Sequence, residues 1–406
     1  MTTLPFTQAN LPHEESVLLA ELKNLRKYYD PSSVSRKADL LSKITGVSLR
    51  HIKGCTYDTS FFKGNIENPI GIIQVPLGIA GPLWIEGQNA QGEFFIPLAT
   101  TEGALVLTYD LGMRLLRMSG PVYTEVLSKF IHISPMFPIK HDEHVRIERF
   151  VEDQYDAIKS IAEQDSSHTI LLGIDRRHVD NNMVLRFRYD TCDAHGLNMI
   201  NHATFNACKY IEKHTGAFFY LRSHYSAVKH HSLLNEREGY GRVVKASTTI
   251  SARALKMLGV TASELKDFCD RCIACATAAE VASVNVHASN AISAIFMACG
   301  QDIADISSSH VCSGRTMLVN GGNDLFWECT LRNLLVGTVG GGTHLATQSE
   351  CLKILGCLGN QGSDKFAEII AGTVLAGEFT TAAAVINRTY VDIHNKYGRN
   401  KIKHIP

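Results

Sequence analysis

The chain has 406 residues, 45% of them hydrophobic, with 40 Lys plus Arg against 40 Asp plus Glu and no net charge. That length exceeds what one hydrophobic core serves, so two or three structural units are expected. Balanced charge without single-sign runs argues against a nucleic-acid footprint or a polybasic membrane patch and leaves a small molecule as the default partner. Apolar runs are broken by Gly, Pro or polar residues short of the roughly 20 residues that span a bilayer, so no membrane segment is expected. Eleven cysteines without a secretory leader read as reduced, buried thiols of a cytoplasmic protein, with no bridges.

Residues 1–65 read as a small helical unit, one helix opening at Pro12 and ending near Tyr29, a second over 32–44 with Ser caps. Residues 67–83 are apolar but punctuated by prolines and glycines, a texture that suits neither a regular helix nor a central strand. A short strand is predicted at 93–96. A long helix follows from about Thr100, capped by Thr100 or Thr101, which would put Glu102 in its first turn among small and apolar residues, where a carboxyl is costly unless used. From about Ser134 to Arg222 strand candidates fall at 145–150, 169–174 and 183–189. In the last, Met183, Leu185, Phe187 and Tyr189 share one face and Arg186 and Arg188 the other, as in a half-solvated antiparallel sheet. Beyond Gly239 an Ala- and Gly-rich helical texture runs to about Val391. The fold class expected is therefore α+β. A large, mostly helical domain (66–133 and 232–391) is split by a compact α+β domain (134–222), and the two are joined by a loop (223–231). A helical N-terminal unit (1–65) and a C-terminal segment (392–406) complete the chain.

Four features carry chemistry. Asp193-Ala-His195-Gly196-Leu197-Asn198 lies at a strand-turn-helix whose first amides suit a phosphate; it is not GxGxxG, so a Rossmann domain is not indicated. Gly337-Thr-Val-Gly340-Gly341-Gly342-Thr343 precedes a helix over 344–355 and offers approachable backbone. Asn285, His287 and Asn290 are placed on a helix that ends at Asp302, whose apolar flanks argue for burial; a buried acid needs a cationic or hydrogen-bonding partner. Cys269, Cys272 and Cys275 have the gaps of an iron–sulfur run but lack its fourth cysteine, and on an uninterrupted helix they read as buried core thiols, with no metal expected.

The run Glu67-Asn68-Pro through Gly78-Ile-Ala80-Gly81-Pro82, together with Pro97-Leu-Ala-Thr-Thr-Glu102-Gly, resembles the substrate-binding signature of the hydroxymethylglutaryl-CoA (HMG-CoA) reductase family. The two glycine turns match that family's DAMGMN-like and GTVGGGT blocks, and the likeness extends from Glu67 to about His394, toward the class I type without its membrane anchor. The resemblance implies a catalytic set of Glu102, Lys229, Asp302 and His394, with Lys229 found by its spacing from Gly239-Tyr-Gly-Arg242 and His394 by its spacing from Ala376-Gly-Glu378. It implies that 134–222 is ferredoxin-like and binds NADP, with NAD possible, through Asp193, His195, Gly196, Leu197, Asn198, Gly340, Gly341, Gly342 and Arg399. Substrate contacts fall to Glu67, Asn68, Gly78, Ala80, Gly81, Pro82, His230, Asn285, His287 and Asn290. The implied reaction reduces an acyl-CoA thioester to a primary alcohol, HMG-CoA to mevalonate in isoprenoid synthesis, by a homodimer or homotetramer with shared sites. Val228 and His230 flank Lys229 where the family typically has an acid and a second lysine, and Glu125 stands where arginine is frequent. A less acidic CoA- or carrier-protein-bound thioester is therefore the alternative substrate, unless His230 or Lys129 substitutes, and a catalytically silent binding homologue is the third reading.

Overall fold

The computed structural model describes residues 13–54, 56–139, 143–281 and 283–398. Two units result, Met1–Pro76 and Leu77–Pro406. In the first, helices α1 (His13–Asn24) and α2 (Pro31–Thr45) dominate. The cap of α2 is Asp30 rather than a serine: its carboxylate accepts the Ser33 amide, Pro31 fills the first position, and Gly46 closes the helix at φ 69°. Lys37 is wholly buried there and donates to the Tyr28 carbonyl at 2.9 Å.

In the second unit nine strands are described: β1 (Leu77–Gly87), β2 (Gln91–Ala99), β3 (Val122–Ile133), β4 (Met136–Pro138), β5 (Ile170–Val179), β6 (Asn182–Asp190), β7 (Gly241–Ile250), β8 (Cys312–Val319) and β9 (Asp324–Leu334). Six of them run in the order β2-β1-β3-β7-β9-β8. Strand β3 links this sheet to a smaller one: Tyr123–Phe130 pairs with β7, whereas Ile131–Ile133 pairs with β6, which also holds β4 and β5. Helices α3 (Leu105–Ser119), α9 (Ala262–Ala278), α10 (Ala288–Ala298) and α13 (Ser363–Ile386) pack on the large sheet. Helices α4 (Glu143–Asp153), α5 (Tyr155–Glu163) and α6 (Leu197–Thr215) close the small core around Phe137, Leu185 and Phe187. Shorter helices are α7 (Leu233–Glu238), α8 (Ala252–Met257), α11 (Ile306–Ser309), α12 (Ala346–Ile354) and α14 (Tyr390–Ile393).

The α+β reading holds, and several local expectations change. Residues 77–83, the end of the stretch expected to be irregular, form the first part of β1; Pro82 fits because a register shift lies between Ala80 and Leu83, and pairing with β3 begins only at Ile85. Residues 145–150 are helical, not extended: Ile147 and Val151 are buried at i, i+4, and that spacing decides over the short alternation. Three strands after Gly239 went unread, because Arg242, Lys245 and alternating threonines interrupt their apolar pattern. Arg186 is not solvated. It is 1% exposed, ion-paired with Glu238 and stacked over Phe130, since α7 covers that face of β6. Helix α13 is long and apolar enough to cross a membrane by length and composition, an unbroken run not anticipated from the sequence, and 83% of its most apolar window is buried inside the protein.

Candidate active site

Lys229 lies on the loop between the small sheet and α7, in the left-handed region at φ 58°, as does Ala227 at φ 47°. Such backbone persists only where its surroundings fix it. Here Ser223 donates to the Ser134 carbonyl at 2.7 Å, the Ser134 amide donates to the Ser226 hydroxyl at 2.8 Å, and buried Asn235 reaches the Ser226 carbonyl. Asn235 in turn accepts from His132, whose imidazole burial holds at a pKa of about 3, so that the ring stays neutral.

So held, the Lys229 ammonium meets Asp302 at 2.6 Å. Asp302 is not buried as expected: its side chain is 42% exposed, and it caps a single turn by accepting the Ala304 amide at 3.0 Å. Partial burial pushes its carboxyl up, but the bonds from Lys229 and the Ala304 amide outweigh this and keep it below the usual carboxylate range. One turn on, Asp305 is buried and bonded to His195 at 2.7 Å, its other oxygen having no partner.

His195 brings in the first glycine turn, and the two turns prove to be one structure. Ala194 bridges Val339, the Thr338 amide donates to the Asp193 carbonyl at 2.8 Å, and a Cβ on Gly337 would stand 2.4 Å from the His195 nitrogen. Gln301 bonds both the amide and the carbonyl of Gly337, and Gly300 approaches Gly342 so closely that a Cβ there would meet its carbonyl oxygen at 2.4 Å. Burial raises the Asp193 carboxyl, yet bonds from the Gln361 amide and from Ser363 hold it below the ordinary range. Gly196, at φ 81°, is the N-cap of α6; Leu197 packs on the small core and Asn198 is exposed in the first turn. Replacing Gly337 by Ala should therefore destabilise the protein by roughly 1–3 kcal/mol, measured by urea unfolding, because the intruding methyl meets backbone that cannot yield.

Glu102 and Asn290 form the second grouping. Glu102 precedes α3 rather than sitting in its first turn: Ala104 is the N-cap, and Thr100 accepts the Glu102 amide at 3.0 Å. The Glu102 side chain is exposed, not buried, and accepts from the Asn290 amide group at 3.4 Å. Of the three residues placed on one helix, only Asn290 is in α10; His287 is its N-cap and Asn285 precedes it, accepting the Ala288 amide at 2.9 Å. Gly78 lets Val106 approach, Ala80 is buried, and the Gly81 amide donates to Asp110 at 3.1 Å beside Pro82 in β1. Helix α10 separates the two groupings: its 11 residues span about 16 Å, with Asn290 near its start and Asp302 past its end.

Of the remaining expectations, His394 and His230 make local bonds. His394 bonds only locally, its Nδ1 to the Tyr390 carbonyl at 2.8 Å. His230 is exposed and bonded to the Val228 carbonyl. Glu67 and Asn68 belong to the first unit, where Asn68 has φ 52°. Arg399 lies outside the described residues. Cys272 and Cys275 are exposed and Cys269 only half-buried, contrary to the core reading, because α9 presents one side alone to β8 and α13. Among the described residues no group of three or more His, Cys, Asp or Glu is arranged to hold a metal ion. Gln301, Asp305 and Asn235 were missed and Arg242 served only as a spacing mark, because only the packed structure shows what each polar side chain binds.

The family model described as Hydroxymethylglutaryl-coenzyme A reductase matches residues 33–399. The chain belongs to the hydroxymethylglutaryl-coenzyme A reductase family. It is 36% identical to the 3-hydroxy-3-methylglutaryl-coenzyme A reductase of Aeropyrum pernix, covering 89% of each chain. It is 33% identical to 3-hydroxy-3-methylglutaryl-coenzyme A reductase 2 of Solanum tuberosum, over 91% of this chain and 64% of that one. The fold is that of a class II 3-hydroxy-3-methylglutaryl-CoA reductase from Streptococcus pneumoniae bound to NADPH, with a TM-score of 0.66 at 17% identity, over 93% of this chain and 98% of the other. Glu125, a departure from the usual pattern, and Lys129, the candidate substitute cation, are both engaged elsewhere. Glu125 pairs with Lys245 at 3.0 Å, and Lys129 is shared between Asp364 at 3.3 Å and Asp190 at 3.6 Å.

Proposed function

We propose that this chain is an NADPH-dependent oxidoreductase that reduces the thioester of HMG-CoA to the primary alcohol of mevalonate and releases CoA. The observation that carries this reading is the Lys229 amine held at 2.6 Å by Asp302 beside the joined glycine turns. Gly340 and Gly341 have positive φ and open space where a Cβ would stand, next to the N-terminus of α6, so this backbone suits an anionic dinucleotide. NADP fits that cradle; when bound in its reduced form it supplies the hydride.

Reduction of the carbonyl puts negative charge on its oxygen, and the Lys229 ammonium opposes that charge, with Asp302 fixing the amine in place. His394 donates a proton to the departing CoA thiolate; its Nδ1–H is tied to the Tyr390 carbonyl, which leaves Nε2 for the task. Glu102, oriented by Asn290, supplies the proton that completes the alcohol. In one chain Glu102 is exposed to solvent, whereas proton transfer to the product calls for a site closed to water. The same reading therefore makes the enzyme a homodimer or homotetramer in which a second subunit covers Glu102. The length of α10 between the two groupings and the exposed apolar side chains of Leu77, Ile79, Phe95 and Leu107 support it. Ten described cysteines carry free thiols, which suits the reducing cytoplasm.

A second reading rests on Glu125 and Lys129. With these side chains committed to Lys245, Asp364 and Asp190, His230 is the remaining group to meet the free carboxylate of the HMG moiety, and a less acidic acyl thioester would need no such partner. Purified protein given NADPH and HMG-CoA should oxidise two NADPH per CoA thiol released. Turnover only of an uncharged acyl-CoA or carrier-protein thioester would select the second reading, and no turnover of either would leave a binding homologue.

A further inference from the structure

Helix α13 carries two buried carboxylates that the proposed chemistry does not use, Glu368 near its start and Glu378 towards its end. Glu378 is 3% exposed, and its two oxygens accept the backbone amides of Val286 at 2.6 Å and His287 at 2.9 Å. Those amides open the turn that leads into α10, where an anion is also favoured by the helix N-terminus. From this anchor the turn is built outward. The His287 carbonyl accepts the Asn290 amide at 3.0 Å, its ring meets the Tyr109 hydroxyl at 3.2 Å and the Thr381 hydroxyl, and Asn290 reaches Glu102. Gly377 makes room for this arrangement, since a Cβ there would stand 2.2 Å from the Tyr109 ring.

We propose that Glu378 is a positioning residue that clamps 285–290 in the conformation presenting Asn290 to Glu102, and so sets the thioester end of the site. The proposal rests on the functional reading above. The titratable groups facing Glu378 are Tyr109 from α3, with Glu102 beyond it, His287 from the turn, Cys269 from α9 and Cys312 from β8. Burial keeps the phenol and the Cys269 thiol protonated, the hydrogen bond with Cys329 and then burial do the same for Cys312, and burial pushes His287 down towards its neutral form, so none of these neighbours is a cation. Burial likewise raises the Glu378 carboxyl to about 7, against the pull of the two amides. The carboxylate grips both amides. The protonated acid has one oxygen turned into a hydroxyl and grips less, so the clamp tightens as pH rises through neutrality. Stability runs the other way: with a folded pKa raised from 4.5 to about 7, the group's contribution is complete below the lower value and is lost as pH rises through the upper.

The test uses full-length Glu378→Gln and Glu378→Asp between about pH 5.5 and 8.5, where the carboxyl titrates. At the alkaline end Glu378→Gln should raise KM for HMG-CoA about tenfold, the loss of one hydrogen bond to a charged group, while KM for NADPH stays within about twofold. The wild type should approach the variant as pH falls, Glu378→Asp should recover part of the loss, and hydrogen exchange of the Val286 and His287 amides should be faster in Glu378→Gln. The melting temperature of the wild type relative to Glu378→Gln should fall with rising pH. Equal KM values across the range, unchanged exchange, or a parallel rise in both KM values with a lowered melting temperature would overturn the proposal. If Glu378→Gln does not fold, Glu378→Asp and the pH dependence of wild-type exchange decide. If the wild type turns over no thioester, the functional reading fails, while exchange and melting still judge the clamp.

Discussion

Lys229→Ala should lower kcat/KM for the thioester by about a thousandfold while changing the dissociation constant of NADPH by no more than about twofold. The argument starts from the backbone. A lysine at φ 58° on a loop held by Ser134, Ser226 and Asn235 has little freedom to place its amine elsewhere, and Asp302 fixes the ammonium at 2.6 Å. In the proposed mechanism, removing the cation removes the group that opposes the oxyanion, an interaction realised in the transition state and weak in the ground state. The joined glycine turns proposed to cradle the cofactor are bonded through Gln301, Asp193 and Asp305, whereas the amine of Lys229 is bonded to Asp302. Steady-state kinetics and a fluorescence titration with NADPH separate the two effects; comparable loss of both would mean that the loop had collapsed.

The second large effect is on stability. Arg242, 5% exposed on β7, donates to Asp364 at 2.7 Å, to the Val336 carbonyl at 3.0 Å, to the Cys192 carbonyl at 2.8 Å and to the Ser363 hydroxyl at 2.5 Å. It thereby ties β7 to the strand before each glycine turn and to the start of α13. Arg242→Ala should cost roughly 3–5 kcal/mol, because it takes the donor from the Val336 carbonyl and leaves Asp364 with only the longer contact to Lys129 and the Cys192 carbonyl with only that to Ser363. Arg242→Lys should recover less than half of this, since an ammonium cannot reproduce the fork. Urea unfolding midpoints measure both, and a loss for Arg242→Ala under about 1 kcal/mol would mean that Lys129 alone satisfies Asp364.

Residues that act through the backbone were the ones most legible in the sequence. Gly196, Gly337 and the 340–342 run need positive φ or close approach, and both demands leave glycine in the text of the chain. Lys229 and Asp302 were found by spacing and resemblance alone, and the sequence carried no sign of φ 58° or of the exposure of Asp302. The helix start at Glu102 was misplaced because Thr100 has the chemistry of a cap; its hydroxyl does accept an amide, but in a turn before the helix, which begins after left-handed Ala104. Strands β7, β8 and β9 were hidden for a different reason. Strands β7 and β9 lie under α13 and carry polar side chains such as Arg242 and Asn333, and β8 lies against α9 with most of its side chains exposed, so neither alternation nor a continuous apolar run marks them. Glu378 appeared only as a spacing mark for His394, since a carboxylate inside an apolar helix shows its purpose only when the amides of Val286 and His287 are seen against it.

The most direct test of the central claim is a crystal structure of the enzyme with HMG-CoA and oxidised cofactor. The thioester carbonyl oxygen should lie about 3 Å from Nζ of Lys229, with that amine still on Asp302. A carbonyl bound elsewhere, with the amine turned to bulk solvent in every subunit, would contradict the account.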